Sequence, residues 1–238
     1  MDIQLYYTEA GMGFPLILLH GNGENGEYFH FQKEYFSRFF RVMAVDTRGH
    51  GKSPRGNAPF SIAQFARDLH DFMDEKGIKQ AHILGFSDGG NIAMTFALAY
   101  PQYVKSLILN GANMNPRGVK RFYQLPIEIG YKIASRSGRK HPEAAKKAEL
   151  LSLMVNEPDF SPEELSKIEA RTLVIAGKRD MIKASHTRLI ASAIPKSELK
   201  IIHGDHFIAE KNPLFFNKAV AEFLGLCDDI NTKSRKDQ

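Results

Sequence analysis

The sequence predicts an α/β fold, a mostly parallel sheet flanked by helices with a small helical insertion near the middle of the chain. Three observations point there: strand and helix patterns alternate along most of the chain, short apolar runs read as buried strands, and the links between them are short. The 238 residues are 43% hydrophobic, enough apolar surface for one sizeable core, so 1–238 reads as a single domain.

Ile3 to Tyr7 and Leu16 to Leu19 read as strands, with Gly11-Met12-Gly13 as the reversal between them, because glycine reaches positive φ without strain. The opening is therefore expected to be a hairpin feeding a buried strand. Arg41 to Asp46 is a short apolar run ending in a carboxylate, as in a parallel strand that delivers a side chain to the carboxyl edge of its sheet. Ser61 is placed to cap a helix whose apolar stripe is Ile62, Phe65, Leu69, Phe72 and Met73, and Gly77 ends it. A strand over Ala81 to Gly85, a small-residue helix over Gly89 to Tyr100 and a strand over Val104 to Asn110 follow, which predicts parallel pairing through right-handed crossovers. From about 113 to 168 the alternation gives way to helical patterns punctuated by Pro and Gly. It resumes with a strand over Thr172 to Gly177, a helix around His186 to Ala193, a strand over Leu199 to Ile202 and a closing helix from Pro213 to Leu224. The polar tail 228–238 is expected to be frayed.

With 32 Lys and Arg against 27 Asp and Glu, the net charge of +5 is mild and argues against a nucleic-acid binder. Basic residues gather at Arg117, Lys120, Arg121, Lys132, Arg136, Arg139, Lys140, Lys146 and Lys147, either as a solvated helical surface or as an attractor of an acidic substrate or anionic surface. The chain has no apolar run long enough to span a bilayer and no basic-apolar leader, so a soluble cytoplasmic protein without a membrane span is expected. The lone Cys227 has no disulfide partner and reads as a buried or half-buried thiol, in keeping with a reducing compartment.

Chemistry concentrates at Gly85-Phe86-Ser87-Asp88-Gly89, a G-x-S-x-G sequence where a strand turns into a helix. Side chains two positions either side of the serine would strike neighbouring backbone in so sharp a turn, hence the two glycines. A serine hydroxyl is a poor nucleophile at neutral pH and needs a base, a task suited to histidine with its ordinary pKa of about 6.5. Of nine histidines, His206 lies in the loop after the last expected strand, a place at the sheet edge from which it could serve. His203 is a rival closer to the strand end, while His82 in a strand and His186 on a helix read as structural. The acid that would orient the base is Asp180, just after the strand Thr172 to Gly177. Asp205 adjoins His206, but neighbouring side chains in an extended loop diverge, so it reads as solvated.

At this point the chain resembles the α/β-hydrolase family, through five segments in the family's order. His20-Gly21-Asn22-Gly23 is similar to the oxyanion loop, Asp46-Thr47-Arg48-Gly49-His50-Gly51-Lys52-Ser53 to the D-x-R-G-x-G-x-S turn, and Gly85 to Gly89 to the nucleophile elbow. Gly177-Lys178-Arg179-Asp180 is similar to the acid loop, and His206-Phe207 with Glu210 and Pro213 to the histidine segment. The resemblance implies Ser87 as nucleophile, Asp180 and His206 as its partners, and the backbone amides of Asn22 and Asp88 as oxyanion donors. It also implies scaffolding roles for His20, Asp46, Arg48 and His50. The Asp88 carboxylate suits a helix N-terminus, but Ser-Asp-Gly-Gly also resembles the biphenyl-hydrolase-like esterases of α-amino acid esters, in which the aspartate binds the amine.

In the family an insertion at 113–168 forms a lid, and its apolar residues Met114, Phe122, Tyr123 and Met154, with Leu125, Ile129, Tyr131 and Leu153, are expected to divide between acyl pocket and lid core. The implied function is a serine hydrolase cleaving a small or medium carboxylic ester, its partner a small molecule, with no metal and no organic cofactor. The serine argues against the aspartate-nucleophile dehalogenases and epoxide hydrolases. Thioesterase, amidase, carbon-carbon hydrolase and acyltransferase chemistry share the triad and stay open, as does a binding protein on the same scaffold. The oligomeric state is not indicated by the sequence.

Overall fold

A computed structural model describes residues 2–226, so Cys227 and the tail 228–238 lie outside the described residues. Within them one sheet is built from β1 (Tyr7–Ala10), β2 (Pro15–Leu19), β3 (Arg41–Val45), β4 (Ala81–Phe86), β5 (Val104–Asn110), β6 (Arg171–Gly177) and β7 (Ser197–Ile202). The spatial order is β1-β3-β2-β4-β5-β6-β7, and every neighbouring pair is parallel except β1 with β3.

The start of the chain departs from expectation. The first strand is Tyr7–Ala10, not Ile3 to Tyr7, and there is no hairpin: β1 pairs with β3, in the register Tyr7 to Val45 and Ala10 to Val42. The reason lies in the two sequences. Leu16 to Leu19 is apolar on both faces and takes a position between two parallel neighbours, β3 and β4, whereas the mixed Tyr-Thr-Glu-Ala suits an edge. Gly11 and Gly13, at φ 80 and 102, carry the chain between them.

Alternation along the strands sends side chains to two cores. Ile17, Ile83 and Leu107 face α2 (Ile62–Glu75) and α3 (Asp88–Ala99), meeting Phe65, Leu69, Phe72, Ile92 and Phe96. Leu18, Leu84 and Ile108 face α1 (His30–Phe36) and α9 (Pro213–Leu224), meeting Phe36, Phe216 and Val220. Helix α2 begins where expected, the Ser61 hydroxyl accepting the Gln64 amide hydrogen at 3.2 Å. Helix α1 follows a 3-10 turn over Gly26–Phe29 that Asn25 caps, and neither is apparent in the sequence pattern. Between β5 and β6 stand α4 (Arg121–Ser137), α5 (Pro142–Asn156) and α6 (Pro162–Leu165), with α7 (Ala184–Ala193) and α8 (Ile208–Lys211) after them.

The turn after β3 is held by a buried charge. Arg48 is fully buried and forms a two-pronged pair with Asp68 of α2, Nε and Nη2 each 2.7 Å from a carboxylate oxygen, while Asp2 and the Arg55 carbonyl take the remaining donors. Removing the cation would leave Asp68 buried without a counter-charge. Arg48→Met is expected to cost about 3–5 kcal/mol in urea denaturation, and Arg48→Met/Asp68→Leu to recover much of that loss.

Candidate active site

The sheet's carboxyl edge gathers the sequence candidates. Strand β4 ends at Phe86, Ser87 turns at φ 52 and ψ −118, and α3 starts at Asp88. Positive φ in a serine is uncommon and strained. Crowding enforces it: a Cβ at Gly85 would run into the Gly89 carbonyl, and one at Gly89 into the carbonyls of Leu19 and His20. The Ser87 amide donates to the Asn110 carbonyl at 2.8 Å, tying the turn to the end of β5. At this helix start the Asp88 amide lacks an intrahelical acceptor.

Beyond the end of β5, His206 and Asp180 meet, His206 Nδ1 lying 2.7 Å from Asp180 Oδ1 with both side chains buried. The same Oδ1 accepts the Ile182 amide hydrogen at 2.9 Å, and Oδ2 is buried without a hydrogen-bond partner among the described residues. Gly111 makes the pairing possible. It sits at φ 62, and a Cβ there would press on the imidazole at 2.7 Å, with Asp180 Oδ2 in ordinary contact at 3.4 Å. The imidazole also lies 4.8 Å, centroid to centroid, from Phe86, the residue before Ser87. With the Nδ1 proton directed to Asp180, Nε2 keeps a lone pair able to accept a hydroxyl proton.

The rival groups are occupied or remote. Asp205 accepts the Phe207 amide hydrogen through Oδ1 and pairs with Lys211 through Oδ2, and His203 is exposed. His82 is 2.7 Å from the Ser106 hydroxyl, and His186 Nε2 accepts the Met114 amide hydrogen at 2.9 Å.

After β2, His20 braces the next loop. Its Nδ1 donates to the Gly21 carbonyl, Nε2 accepts the Thr47 amide hydrogen, and burial pushes its pKa down to about 4, which keeps it neutral. Asp46 accepts the amide hydrogens of Gly26 and Lys52, and His50 Nδ1 lies 3.0 Å from the Arg48 carbonyl. The Asn22 side chain is a bridge: Nδ2 donates to Asp88 Oδ2 at 2.8 Å and to the Leu150 carbonyl of α5 at 2.9 Å. Asn91 Nδ2 reaches Asp88 Oδ1 at 3.2 Å, so both oxygens of that carboxylate meet neutral amides. Burial raises Asp88 to about 6.

The apolar insertion residues correct the pocket expectation. Met114 is buried in the main core, whereas Phe122 is 84% exposed and Tyr123, Leu125 and Ile129 also face outward. Met154 is half-buried, with its carbonyl taken by Gln124. Phe122, Leu125 and Ile129 are spaced on one side of α4, and Met114 follows β5 into the interior. A cavity of about 610 Å³ instead opens between the loop after β3 and α5, lined among others by Arg55, Phe60, Glu149 and Leu150.

Four contributors escape the motif reading. Asn91 and Gly111 act as described, and Lys120 donates through Nζ to the Asp180 carbonyl. Glu24 Oε2 accepts the Gly21 amide hydrogen at 3.0 Å, closing a three-residue turn that its position relative to Gly21 could have signalled.

A model of the alpha/beta hydrolase fold matches residues 15–126. The chain is 29% identical over 267 residues to RutD of Azorhizobium caulinodans, a protein named as a candidate carbamate hydrolase, with 97% of each chain covered. It is 31% identical over 188 residues to a 2-hydroxy-6-oxononadienedioate/2-hydroxy-6-oxononatrienedioate hydrolase of Burkholderia vietnamiensis, covering 76% of this chain and 63% of that one. Among solved structures it is similar to an N-acyl homoserine lactone degrading enzyme (TM-score 0.75, 28% identity, 93% and 97% covered). A second is a meta-cleavage product hydrolase from Pseudomonas fluorescens (TM-score 0.76, 25% identity, 94% and 95% covered).

Burial also raises Glu24, from 4.5 to about 7, against the pull of the Gly21 amide and nearby His206, with Glu210 reinforcing the rise. A carboxyl raised on folding contributes stability that is fully present below its unfolded pKa of 4.5 and is lost as the pH rises through about 7. Relative to Glu24→Gln, the wild-type melting temperature is expected to fall across that window and to run parallel above it. Parallel curves throughout would refute the buried carboxyl.

Proposed function

We propose, from the premise that this chain belongs to the α/β-hydrolase fold family, that it hydrolyses a small or medium carboxylic ester through an acyl-enzyme on Ser87. The observation that carries the reading is the buried 2.7 Å contact between His206 and Asp180, packed against the residue that precedes a serine in a strained turn.

In this mechanism His206 Nε2 takes the Ser87 proton as the hydroxyl oxygen attacks the ester carbonyl. Negative charge develops on the carbonyl oxygen and is held by the Asn22 and Asp88 amides, each worth on the order of 2.7–4 kcal/mol at the transition state. Asp180 stabilises the imidazolium, which returns its proton to the departing alcohol. Water then repeats the cycle against the acyl-enzyme and releases the acid. The segment 113–168 acts as the lid, joined to the site through Leu150 and Lys120.

The carbamate, lactone and oxo-dienedioate compounds in the names of its relatives all contain a carbonyl carbon, which supports carbonyl-directed chemistry and makes such compounds the next to assay. The occupied carboxylate of Asp88 supports a positioning role through Asn22, because a substrate amine would have to compete with that amide for Oδ2.

A fluorophosphonate probe is expected to label Ser87 in the folded protein, and an unlabelled wild type would sink the proposal. Ser87→Ala and Asp180→Asn are each expected to lower p-nitrophenyl ester turnover about 10⁴-fold or more without unfolding. Undiminished turnover in Ser87→Ala would reassign the nucleophile.

A further inference from the structure

Helix α4 carries an apolar stripe that stands largely open to solvent. Phe122, Leu125, Ile129 and Ile133 are spaced to share one face, and Ile133 is 61% exposed. The opposite face is fixed to the protein: Gln124 and Ala134 are buried, Gln124 Nε2 donates to the Met154 carbonyl, and Lys120 anchors the helix start to Asp180. The stripe is therefore held outward by the fold.

Its border is basic. Lys132 and Arg136 are exposed beside it, and Arg121, paired with Glu128, stands on the same flank. From 117 to 147 there are nine basic residues and two acidic ones, Glu128 and Glu143, in a chain whose net charge is +5. An aligned apolar face of this kind is unusual on a surface that meets only water. A second copy packed on it through a two-fold axis would bring two such basic segments together. A negatively charged surface with an apolar interior complements both features at once.

We propose that this face of α4 docks on an anionic lipid bilayer, the apolar stripe entering the boundary between headgroups and acyl chains and Lys132, Arg136 and their basic neighbours meeting headgroup phosphates. The helix lies along the surface and spans nothing, in keeping with the absence, among the described residues, of any helix long and apolar enough to cross a membrane. This binding does not depend on Ser87, so it stands or falls separately from the proposed hydrolysis.

Co-sedimentation of the full chain with phosphatidylglycerol vesicles tests it, with phosphatidylcholine vesicles in parallel. Wild type and Ser87→Ala are both expected to bind the anionic vesicles, to leave the neutral ones in solution and to release at high salt. Lys132→Glu/Arg136→Glu is expected to weaken binding at least about tenfold, as is Ile129→Ser/Ile133→Ser, with thermal melting confirming that each is folded. If the apolar variant does not fold, the charge variant decides alone. Failure to bind phosphatidylglycerol would overturn the proposal. So would equal binding of wild type and the charge variant, or a solution dimer that the apolar variant dissociates.

Discussion

The site depends on how closely α3 approaches the ends of β2 and β4. At Gly85 and Gly89 the backbones come so near that any side chain would overlap a carbonyl, and the chain passes this point only with Ser87 at positive φ. Other features follow from that approach. It sets the start of α3 beside the loop after β2, which brings Asn22 within hydrogen-bond reach of Asp88. It also leaves Phe86 against the imidazole of His206. A similar economy of side chains operates at Gly111, where the missing Cβ makes room for the His206 and Asp180 pair.

Burial shapes the electrostatics around this point. His20 is kept neutral, while Asp88 and Glu24 are raised to about 6 and about 7. In each case desolvation is the largest cause, and hydrogen bonds to backbone or amide groups oppose it without reversing it. The surroundings of His206 thus include carboxyls that gain protons more readily than ordinary ones. The fully paired charges lie deeper, at Arg48 and Asp68, where two hydrogen bonds in a fixed plane compensate the loss of water.

Much of the fold is legible in the sequence because the strands from β2 to β6 are apolar runs with short links, and α2 carries its own cap and stripe. The displaced first strand is not, because periodicity identifies a strand without naming its partner, and the edge position of Tyr7–Ala10 follows from competition with Leu16 to Leu19 for the interior. Ser87, Asp180 and His206 stand out as candidates through their order and their strand ends. Gly111 and Lys120 act on residues distant in sequence, and nothing in their immediate surroundings marks them, whereas Glu24 and Asn91 reach partners three residues away, Gly21 and Asp88, at a spacing the sequence does display. Met114 and Phe122 illustrate the same limit. Both are large and apolar, and only packing separates the one in the core from the one facing outward.

The bridge made by Asn22 ties two parts of the molecule that the sheet keeps apart. A single nitrogen gives one hydrogen to the elbow and the other to α5, so drawing α5 away strands a donor in a partly buried place, at a cost of about 1–3 kcal/mol. Linkage then works in both directions: a molecule that favours a displaced α5 loosens the loop after β2, and one that orders that loop holds α5 down by the same free energy. Leu150, the acceptor on α5, also lines the cavity beneath the helix.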